Sequence, residues 1–511
     1  MKRILLIISI LIVSVVLMAC KDNKAGDVTA EITFFEVEQT LVTFKFKIED
    51  PKSEVTGAVT VSLFDDESKQ AATKDFMDVF SEVTHTFSNL DNEMTYTLKI
   101  YATVGRNLVI LEEKTFNLAS TEIVHITTVD EFEAMINNRA GNYVLDNDLD
   151  FSGETYVSPF SSAFSGTFDG QGFTLKNIAF GKIVTYTGVF GFVSTGTIKN
   201  VNFDNVTIGT DETPLAMSTS SRVGIVAGYI SGATGKIENV NVTNSQINYS
   251  TSSSIQAYVG GIVGESKGIV EHATLDTTNI TLKTTAYGRI RVGGVVGHLG
   301  EDGVVKYVES NADLNVSAEG ASIKDRDITI NVGGIIGYHN GRNVSKSVEH
   351  LISTGDITID LDYGTITGTT KGTYSVYVGG IAGIAYSSVN QSLYSGSISL
   401  NHEKNEHEED VNKYFFVGGL FGFYGSGKTS LSNLRFSELV TLDIHVSDDV
   451  TLKASQTVAD ISSQATNEFN YYGDLGLMIN DVDESANDTI DLILTTDDYF
   501  TSEWILDWLN N

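Results

Sequence analysis

A glycine-rich hexapeptide recurs along most of the chain and constrains the fold more than any other feature. The clearest copy is residues 259–264, with the sequence Val-Gly-Gly-Ile-Val-Gly. Close copies also begin at residues 292, 332, 378 and 417, and looser copies begin at residues 186 and 223. The final glycines of neighbouring copies lie between 33 residues apart, from Gly264 to Gly297, and 46 residues apart, from Gly337 to Gly383. A period of this size indicates a repeat architecture.

Each repeat contains three short apolar segments. The hexapeptide is the first, a second follows its last glycine closely, as at 198–201, and the third alternates apolar and polar residues, as at 206–208. Asn200 and Asn239 interrupt the alternation of the second segment, as expected where a residue with a left-handed backbone turns a corner. Three short strands per repeat, stacked in parallel, predict an all-β fold with a parallel β-helix of about seven three-strand coils over residues 186–446.

The spacing of the repeats varies at one place in each coil. Largely polar insertions collect between the third segment and the next hexapeptide, at 209–221, 248–256, 283–290, 317–330, 360–374 and 401–413. In a solenoid, loops from equivalent corners line up along one side, and that side is commonly the binding side. The candidate ligand-binding residues, all in the last two insertions, are Asp360, Tyr363, Tyr374, His402 and His407.

The segments that flank the repeats lack the hexapeptide. A helix is predicted at 128–138, with Thr128 as its N-cap and acidic residues in its first turn. Because the end of a stacked sheet exposes an unpaired edge, residues 121–185 are predicted as an N-terminal cap. Residues 447–511 are predicted as a C-terminal cap, which ends in an amphipathic helix at 499–509.

Residues 28–120 show a separate pattern of alternating strands. The stretch around Tyr96 resembles the penultimate strand of a fibronectin type III or immunoglobulin-like sandwich, with Tyr96 as a candidate tyrosine corner. The expected role of Tyr96 is structural, through ring packing and one hydroxyl hydrogen bond. The resemblance implies a small β-sandwich that serves as a spacer. The predicted strands are 31–37, 41–48, 59–64 and 90–101.

The first residues carry a targeting signal. Lys2 and Arg3 precede an apolar run at 4–16, and the sequence Leu-Met-Ala-Cys ends at Cys20, the only cysteine of the chain. This resembles the lipobox of bacterial lipoproteins, which implies a signal peptide at 1–19, acylation of Cys20 and a polar tether up to residue 27. An ordinary membrane anchor is the alternative, but the apolar run is short for a transmembrane span.

The composition limits the partners that the chain can have. The formal net charge is −33, from 66 acidic and 33 basic residues, which argues against nucleic acids and against steering toward anionic membranes. No cofactor is predicted. After removal of residues 1–19 and acylation of Cys20, no thiol remains for a disulfide or a thiolate metal site.

The hexapeptides, together with the sequence Phe-Ser-Gly-Thr-Phe-Asp-Gly at 164–170, resemble the GLUG repeats of bacterial surface proteins. Such repeats occur in adhesin-like proteins and ahead of the catalytic domains of streptococcal immunoglobulin A metallopeptidases. The resemblance covers residues 121–445 and implies a right-handed parallel β-helix at the cell surface. It carries no catalytic residues that could be transferred to this chain.

Two short motifs match catalytic formulas without their structural context. Residues 422–429 fit the phosphate-binding loop formula, but the next segment repeats a strand pattern where that loop needs a helix, so no nucleotide is predicted. His402 and His407 lie five residues apart, whereas the zinc-peptidase motif needs histidines four apart on one helical face. Peptidase activity is therefore not predicted.

Asp146, Asp148 and Asp150 recur at every second position and form a weak candidate calcium site. On one strand, this spacing would aim three carboxylates the same way. Phe151 and Val157 occupy the positions where an EF-hand needs glycine and glutamate, so that motif is excluded. The alternative is a row of aspartates that face solvent.

These features favour a non-enzymatic lipoprotein on the outer face of a bacterial cell membrane, held by lipid on Cys20. A sandwich spacer would present a β-helix that binds a host, matrix or glycan ligand. The alternative is a β-helical polysaccharide lyase or hydrolase, for which Arg289 and Arg291 are the only close arginine pair in the coils. A scaffold without any ligand is a third reading.

Overall fold

The computed structural model describes residues 27–483, apart from short gaps. The gaps are 39–40, 78, 80, 92–93, 119–122, 159, 161, 253–254, 286–287, 320–326, 342–347, 363–372, 404–411, 426–429, 437–440, 447–449, 456–457, 462–465, 468–475 and 480–481. Contacts between residues divide the chain into two units. The first ends at Val124 and includes Ala140–Asn142, and the second comprises His125–Arg139 and the chain from Tyr143 onward.

The first unit contains two antiparallel sheets in its described residues. One has the strand order Thr29–Glu38, Leu41–Glu49 and Val83–Ser88, and the other has the order Gln70–Phe76, Val59–Phe64, Thr95–Val104 and Asn107–Asn117. Side chains from both sheets share one core, in which the rings of Phe35 and Phe116 lie 5.2 Å apart, edge to face. The unit is a small β-sandwich, and its first three predicted strands are confirmed.

Tyr96 links the start of the strand Thr95–Val104 to the turn that precedes this strand. Its side chain is 2% exposed, and its ring stacks on Phe116 with centroids 5.9 Å apart. Its hydroxyl accepts a hydrogen bond from the backbone N–H of Asp91 at 3.0 Å. The predicted structural role of Tyr96 is confirmed.

The second unit begins with the predicted helix. It spans Val129–Ala134 and continues as a 3-10 turn at Met135–Asn138. Thr128 and Glu131 form a capping box, in which each side chain accepts a hydrogen bond from the backbone N–H of the other. The buried ring of Phe132 packs edge to face against Phe151, Phe168 and Phe190, which belong to the first coils, so the helix covers the apolar end of the stack.

The rest of the second unit is a parallel β-helix whose coils each pass through four sheets, numbered here in the order in which the chain visits them. Sheet 1 contains Ile123–Ile126, Asn142–Leu145, Leu149–Asp150, Thr167–Asp169, Thr174–Lys176, Thr197–Asp204, Lys236–Thr243, Ile269–Asp276, Val304–Ser310, Val348–Ser353, Val389–Tyr394, Ser430–Phe436 and Thr466–Asn467. Sheet 2 contains Thr155–Tyr156, Ala179–Phe180, Thr207–Ile208, Leu215–Met217, Gln246–Thr251, Asn279–Thr284, Asp313–Glu319, Ile357–Asp362, Ile398–Glu403, Thr441–His445, Gly476–Ile479 and, antiparallel at the edge, Val482–Asp483.

Sheets 3 and 4 flank the hexapeptide. Sheet 3 contains Tyr186–Thr187, Ser221–Gly224, Ile255–Gly260, Gly288–Gly293, Ile328–Gly333, Thr373–Gly379, Asn412–Gly418 and Val450–Ser455. Sheet 4 contains Phe192–Val193, Ala227–Ile230, Val263–Ser266, Val296–Leu299, Ile336–His339, Ala382–Ala385, Phe421–Tyr424 and Val458–Ile461. The strands within each of these sheets are parallel and in register, so that Val259 pairs with Val292 and Val292 with Val332.

The prediction of three strands per coil is wrong, because the hexapeptide is a bend between two strands. In the copy at 259–264, the strand of sheet 3 ends at Gly260 and the strand of sheet 4 begins at Val263. Val259 at the start and the apolar pair Ile262 and Val263 are all buried, so the sequence resembles one continuously buried strand. The sequence reveals the fourth strand only if the glycines are taken to mark a change in the direction of the chain.

The boundaries of the β-helix also differ from the prediction. The strands at Thr167–Asp169 and Ala179–Phe180 already pair in parallel with the following coil, so residues 121–185 are only in part a cap. At the other end, Val450–Ser455 adds an eighth strand to sheet 3 within the described residues, where 447–511 was predicted as a cap. Ala454 and Ser455 stand there in place of the usual valine and glycine. The hexapeptide pattern therefore does not indicate this coil. The helix predicted at 499–509 lies outside the described residues.

Glycine is required at the bend because backbone packs there against backbone. A Cβ atom on Gly297 would lie 2.6 Å from the backbone nitrogen of Val259 in the preceding coil, and one on Gly260 would lie 2.2 Å from the carbonyl oxygen of Val263. Real Cβ atoms do not approach other atoms so closely. The first and last glycines of the hexapeptide therefore allow sheets 3 and 4 to meet at a sharp angle.

The predicted left-handed corners are present in sheet 1. Asn200 has a φ of 52° and Asn239 a φ of 53°, which confirms the corner expected from the broken alternation. The equivalent residues of later coils also have positive φ although they are not asparagine; they are His272, Tyr307, His350 and Gln391. The asparagines form a ladder, since the Nδ2 of Asn239 donates to the Oδ1 of Asn200 at 2.8 Å.

We expect Gly297→Ala to destabilise the β-helix, because the added methyl group meets backbone atoms that cannot move aside. Overpacking of this kind costs about 3 kcal/mol, which urea unfolding followed by circular dichroism would measure. Gly300→Ala is the matched control three residues away. The nearest atom to its Cβ would be the Cγ of the flexible Lys267 side chain, so its cost should stay below about 1 kcal/mol. Equal costs for the two variants would contradict this account of the bend.

His339 is buried at the end of a sheet 4 strand and makes the free energy of unfolding of the β-helix depend on pH. It is 1% exposed, and its Nδ1 makes no hydrogen bond within the described residues. Burial, together with charge repulsion from His298, lowers the pKa of His339 to about 3. The unfolded chain therefore binds a proton at His339 below its ordinary pKa of 6.5, whereas the folded chain does not until about pH 3.

The β-helix should consequently lose stability as the pH falls from 6.5 toward 3, by about 2 kcal/mol at pH 5 from His339 alone. Above pH 6.5 both states are neutral at this residue, and it contributes no pH dependence. His339→Leu should remove this part of the pH dependence, as measured by urea unfolding midpoints at pH 7.5 and pH 5. If the wild type and the variant lose the same stability between these pH values, the predicted burial of a neutral histidine is wrong.

Candidate ligand-binding site: the corner cleft

The outer faces of sheets 3 and 4 meet in a concave corner. In the strand Gly288–Gly293, Ile290 and Val292 point into the core, so Arg289 and Arg291 lie on the outer face. Arg291 is nevertheless only 6% exposed, because its guanidinium lies 3.7 Å from the ring centroid of Tyr338 on sheet 4. Outer side chains of the two sheets thus contact each other across the glycine bend.

Two rows of side chains line this corner, one from each sheet, and together they are called the corner cleft here. The residues of the sheet 3 row pair directly from strand to strand and are Tyr186, Arg222, Tyr258, Arg291, Asn331, Tyr377, Phe416 and Lys453. The residues of the sheet 4 row are Phe192, Tyr229, Glu265, His298, Tyr338, Ile384 and Phe423. Neighbouring residues in a row are about 4.8 Å apart, the spacing of hydrogen-bonded strands.

Aromatic rings occupy both ends of the corner cleft. At the first end, the rings of Phe192 and Tyr229 are stacked with centroids 5.6 Å apart, and Tyr186 stacks on Tyr229 at 5.3 Å. At the other end, the rings of Tyr377 and Phe416 are stacked at 4.6 Å with an interplanar angle of 3°. These rings present flat apolar surfaces on the outside of the coil stack, where most outer positions of the other sheets are polar.

The centre of the corner cleft holds an ion pair. The Nε of Arg222 donates to Oε2 of Glu265 at 2.7 Å, and the Nδ1 of His298 lies 3.4 Å from Oε1 of the same carboxylate. Burial raises the pKa of Glu265, but His298 and Arg222 outweigh it and hold the pKa at about 2. Burial also lowers the pKa of His298, and Glu265 offsets this only in part.

Of the predicted insertion-loop residues that the structure describes, only Asp360 is exposed. It lies on the strand Ile357–Asp362 and accepts a hydrogen bond from Asn401 at 3.1 Å. Tyr374 is 1% exposed and His402 is 4% exposed, so the prediction that they belong to a binding surface is wrong. Both pack against the buried ring of Phe415. The strands extend further into the insertions than the polar sequence suggested.

The insertions do share one corner, as predicted, because each joins a strand of sheet 2 to a strand of sheet 3. Tyr363 and His407 lie outside the described residues. The residues at 426–429 of the phosphate-loop formula lie outside them as well. Gly422 belongs to the strand Phe421–Tyr424, and the described chain continues after the formula as the strand Ser430–Phe436, not as a helix.

Asp146, Asp148 and Asp150 do not converge on one point. Asp146 bonds to Nδ1 of His125 at 2.8 Å, Asp148 accepts from the backbone N–H of Thr174, and Asp150 accepts from Nδ2 of Asn177. The prediction placed them on one strand, but strand pairing stops at Leu145 and resumes at Leu149. In the part of the chain that the structure describes, no three side chains form a group suited to a metal ion.

Sequence reasoning missed the corner cleft, although a signal for it existed. Each residue of the sheet 3 row from Arg222 to Phe416 stands directly before the first residue of a hexapeptide, and each residue of the sheet 4 row follows the last glycine. In most repeats these two positions carry an aromatic or charged residue, whereas the hexapeptides carry no charged residue and few aromatic ones. Arg291 was singled out as half of an arginine pair, but its partners could not be identified from spacing alone.

Comparison with known proteins gives no assignment for this site. No protein-family model matches the chain, and no curated protein matches it. Among solved structures, the chain is similar to a β-glucuronidase of Parabacteroides merdae, solved with glycerol in its active site, at 9% identity and a TM-score of 0.18. That match covers 45% of this chain and 40% of the β-glucuronidase, so the chain spans about two fifths of that protein.

A second similar structure is the pectate lyase PelI of Erwinia chrysanthemi, at 9% identity and a TM-score of 0.14. The match covers 87% of this chain and 100% of the lyase. Likenesses with TM-scores this low carry no argument about what the corner cleft does. The assignment of the fold rests on the sheets and their register.

Proposed function

We propose that this chain is a lipid-anchored bacterial surface protein whose β-helix binds an extracellular glycan along the corner cleft without cleaving it. The observation that carries the proposal is the cleft itself, in which aromatic rings and a few charged groups line a concave surface across successive coils. Sugar-binding and other ligand sites combine apolar walls with a small number of oriented polar groups. Tyrosine suits both demands, because its ring is apolar and its hydroxyl forms hydrogen bonds.

The repeated geometry favours a polymeric ligand. Each coil adds one residue to each row, so the cleft extends along the stack in steps of about 4.8 Å. From Tyr186 to Phe416 the sheet 3 row spans seven successive strands, which corresponds to a length of about 29 Å. An extended chain of sugars would contact several rings at once, whereas a single small molecule would contact few of them.

The surface location rests on the sequence features at the start of the chain. The lipobox-like residues that end at Cys20, the GLUG-like repeats and the sandwich that resembles a fibronectin type III domain all support an anchored extracellular protein. Cys20 lies outside the described residues. Within the described part of the chain, no helix is both long enough and apolar enough to cross a membrane.

A β-helical lyase or hydrolase is the second candidate for the corner cleft. Glycoside hydrolysis ordinarily uses two carboxyl groups, one of which must be able to donate a proton. Glu265 is the one carboxylate of the two rows whose side chain the structure describes, since Asp460 continues the sheet 4 row only through its strand pairing with Phe423. His298 and Arg222 hold the pKa of Glu265 at about 2, so it is poorly suited to donate a proton. The cleft is therefore better suited to binding than to hydrolysis, and release of a product is the measurement that separates the two.

The first test is binding of the chain from Lys21 onward to an array of neutral glycans, acidic glycans and matrix proteins. We expect saturable binding to at least one glycan, with no shortening of that glycan by mass spectrometry. Tyr229→Ala and Tyr377→Ala should each weaken binding about fivefold or more, because each removes one stacking surface. Tyr414→Ala is the matched control, since Tyr414 lies on the same strand face as Phe416 but outside the cleft and is 38% exposed.

Three outcomes would contradict parts of this proposal. If Tyr414→Ala weakens binding as much as Tyr229→Ala does, the site lies elsewhere on the coils. Glycan fragments with a new carbon–carbon double bond would identify a lyase, and fragments without one would identify a hydrolase. The absence of binding to every glycan would leave the scaffold reading.

The second test concerns the anchor. We expect the chain, produced in a bacterium supplied with labelled palmitate, to incorporate the label and to enter the detergent phase on phase separation. Cys20→Ala should abolish both results, because a single acyl-bearing cysteine is the proposed membrane attachment. Lys21→Ala is the control and should keep both. Retention of Cys20→Ala in the detergent phase would favour the alternative of an uncleaved membrane anchor.

A further inference from the structure

Arg291 is a buried cation for which the described residues provide no anionic partner. It is 6% exposed, and it makes no hydrogen bond or ion pair within the described part of the chain. Its Nε atom is fully buried without a hydrogen-bond acceptor. Burial of an unpaired charge is unfavourable unless some other group compensates it. An anionic ligand in the cleft would supply that compensation.

The stacking around Arg291 leaves its hydrogen-bonding edge available. The guanidinium lies 3.7 Å from the ring centroid of Tyr338 and 4.8 Å from that of Tyr258. Cation–π contacts of this kind involve the faces of the guanidinium, whereas its N–H groups lie in the plane between those faces. The two terminal nitrogens are not fully buried and donate to no acceptor in the described residues. They can therefore reach a ligand in the cleft.

The other charged groups of the cleft do not neutralise Arg291. Glu265 forms its hydrogen bond with Arg222 at 2.7 Å, and no carboxylate in the described residues lies within ion-pair distance of Arg291. His298, the neighbour on sheet 4, has its Nδ1 3.4 Å from Oε1 of Glu265, and its Nε2 is buried without a hydrogen bond in the described residues. The centre of the corner cleft thus carries one positive charge in excess, on a chain whose net charge is −33.

We infer that Arg291 binds the carboxylate of an acidic sugar residue, with its guanidinium held against the rings of Tyr258 and Tyr338. This inference rests on the proposed glycan-binding function and names the class of its ligand. A planar carboxylate matches the planar fork of a guanidinium and accepts two parallel hydrogen bonds from it.

The experiment measures binding of six-sugar oligosaccharides to the chain from Lys21 onward by isothermal titration calorimetry. The probes are oligomers of galacturonate, of mannuronate and of glucuronate alternating with a neutral sugar, the same oligomers after reduction of their carboxyl groups to alcohols, and a sulfated neutral oligomer. We expect at least one acidic oligomer to bind and its reduced form to bind about tenfold or more weakly, as for the loss of a charge-assisted hydrogen-bonded pair. Raising the salt concentration should weaken only the acidic form.

Variants at two arginines separate a specific contact from general charge. Arg291→Gln should weaken binding of the acidic oligomer by the same factor of about ten and should leave binding of the reduced oligomer almost unchanged. Arg291→Lys keeps the charge but cannot donate two parallel hydrogen bonds to one carboxylate, so it should recover only part of the lost affinity. Arg289→Gln removes the same charge from an exposed position two residues away on the same face, and its effect should stay below twofold. Circular dichroism confirms that each variant is folded, and the lysine variant remains informative if the glutamine variant is not.

The outcomes distinguish this inference from the function on which it rests. Tight binding of a neutral glycan, with equal affinity for acidic and reduced oligomers, would overturn the carboxylate site and leave glycan binding intact. Preference for a sulfated neutral oligomer over the carboxylated ones would overturn the choice of carboxylate. An equal loss from Arg289→Gln and Arg291→Gln would show a diffuse charge effect and would also overturn the site. If no oligosaccharide binds at all, both proposals fail.

Discussion

The contact between backbone and backbone at the hexapeptide determines the shape of the coil. Where Gly297 meets Val259 and Gly260 meets Val263, no side chain separates sheets 3 and 4. Any residue with a Cβ atom would push the two sheets apart and open the angle between them. The bend between sheets 3 and 4 therefore depends on glycines, of which each of the seven hexapeptide copies carries at least two.

The concave corner explains how outer residues become buried. On the outer face of sheet 1, by contrast, the paired side chains of Lys199 and Asp169 remain partly exposed. In the corner cleft, the outer rows of two sheets face each other, so Arg222, Glu265 and Arg291 lie among rings and backbone. Polar groups in such a position need partners or a ligand, because they have lost much of their contact with water. The bend that shapes the coil thus also brings Arg222 and Glu265 into contact across two sheets.

Much of the fold could be predicted from the sequence, because stacking repeats the same pattern in each coil. The repeat period, the parallel stacking, the corners at Asn200 and Asn239 and the capping box at Thr128 all follow from local patterns. The fourth strand could not be predicted, since a bent segment with buried residues on both sides has the same apolar pattern as a buried strand. The last coil was missed because Ala454 and Ser455 no longer match the hexapeptide while they still fit the register.

The candidate site was harder to predict than the fold because its residues come from different coils. Arg222 and Glu265 are separated by 43 residues and belong to different strands of different sheets. Periodicity indicates that both positions are equivalent from coil to coil, but not that the two positions face each other. That relation depends on the angle of the bend. The variable length of the insertions favours a binding role for them, yet Tyr374 and His402 are buried core residues. They belong to the strands that enter and leave the insertions.

A site built from one residue per coil depends on the stack in a way that a loop site does not. The spacing of Tyr258, Arg291 and Tyr338 is set by hydrogen bonds between strands, so the rings and the guanidinium are held in place before a ligand arrives. Preorganisation of this kind lowers the entropy lost on binding. It also means that a change in one coil alters one contact and leaves its neighbours in position. Ligand preference can therefore change coil by coil while the bend, and with it the cleft, stays the same.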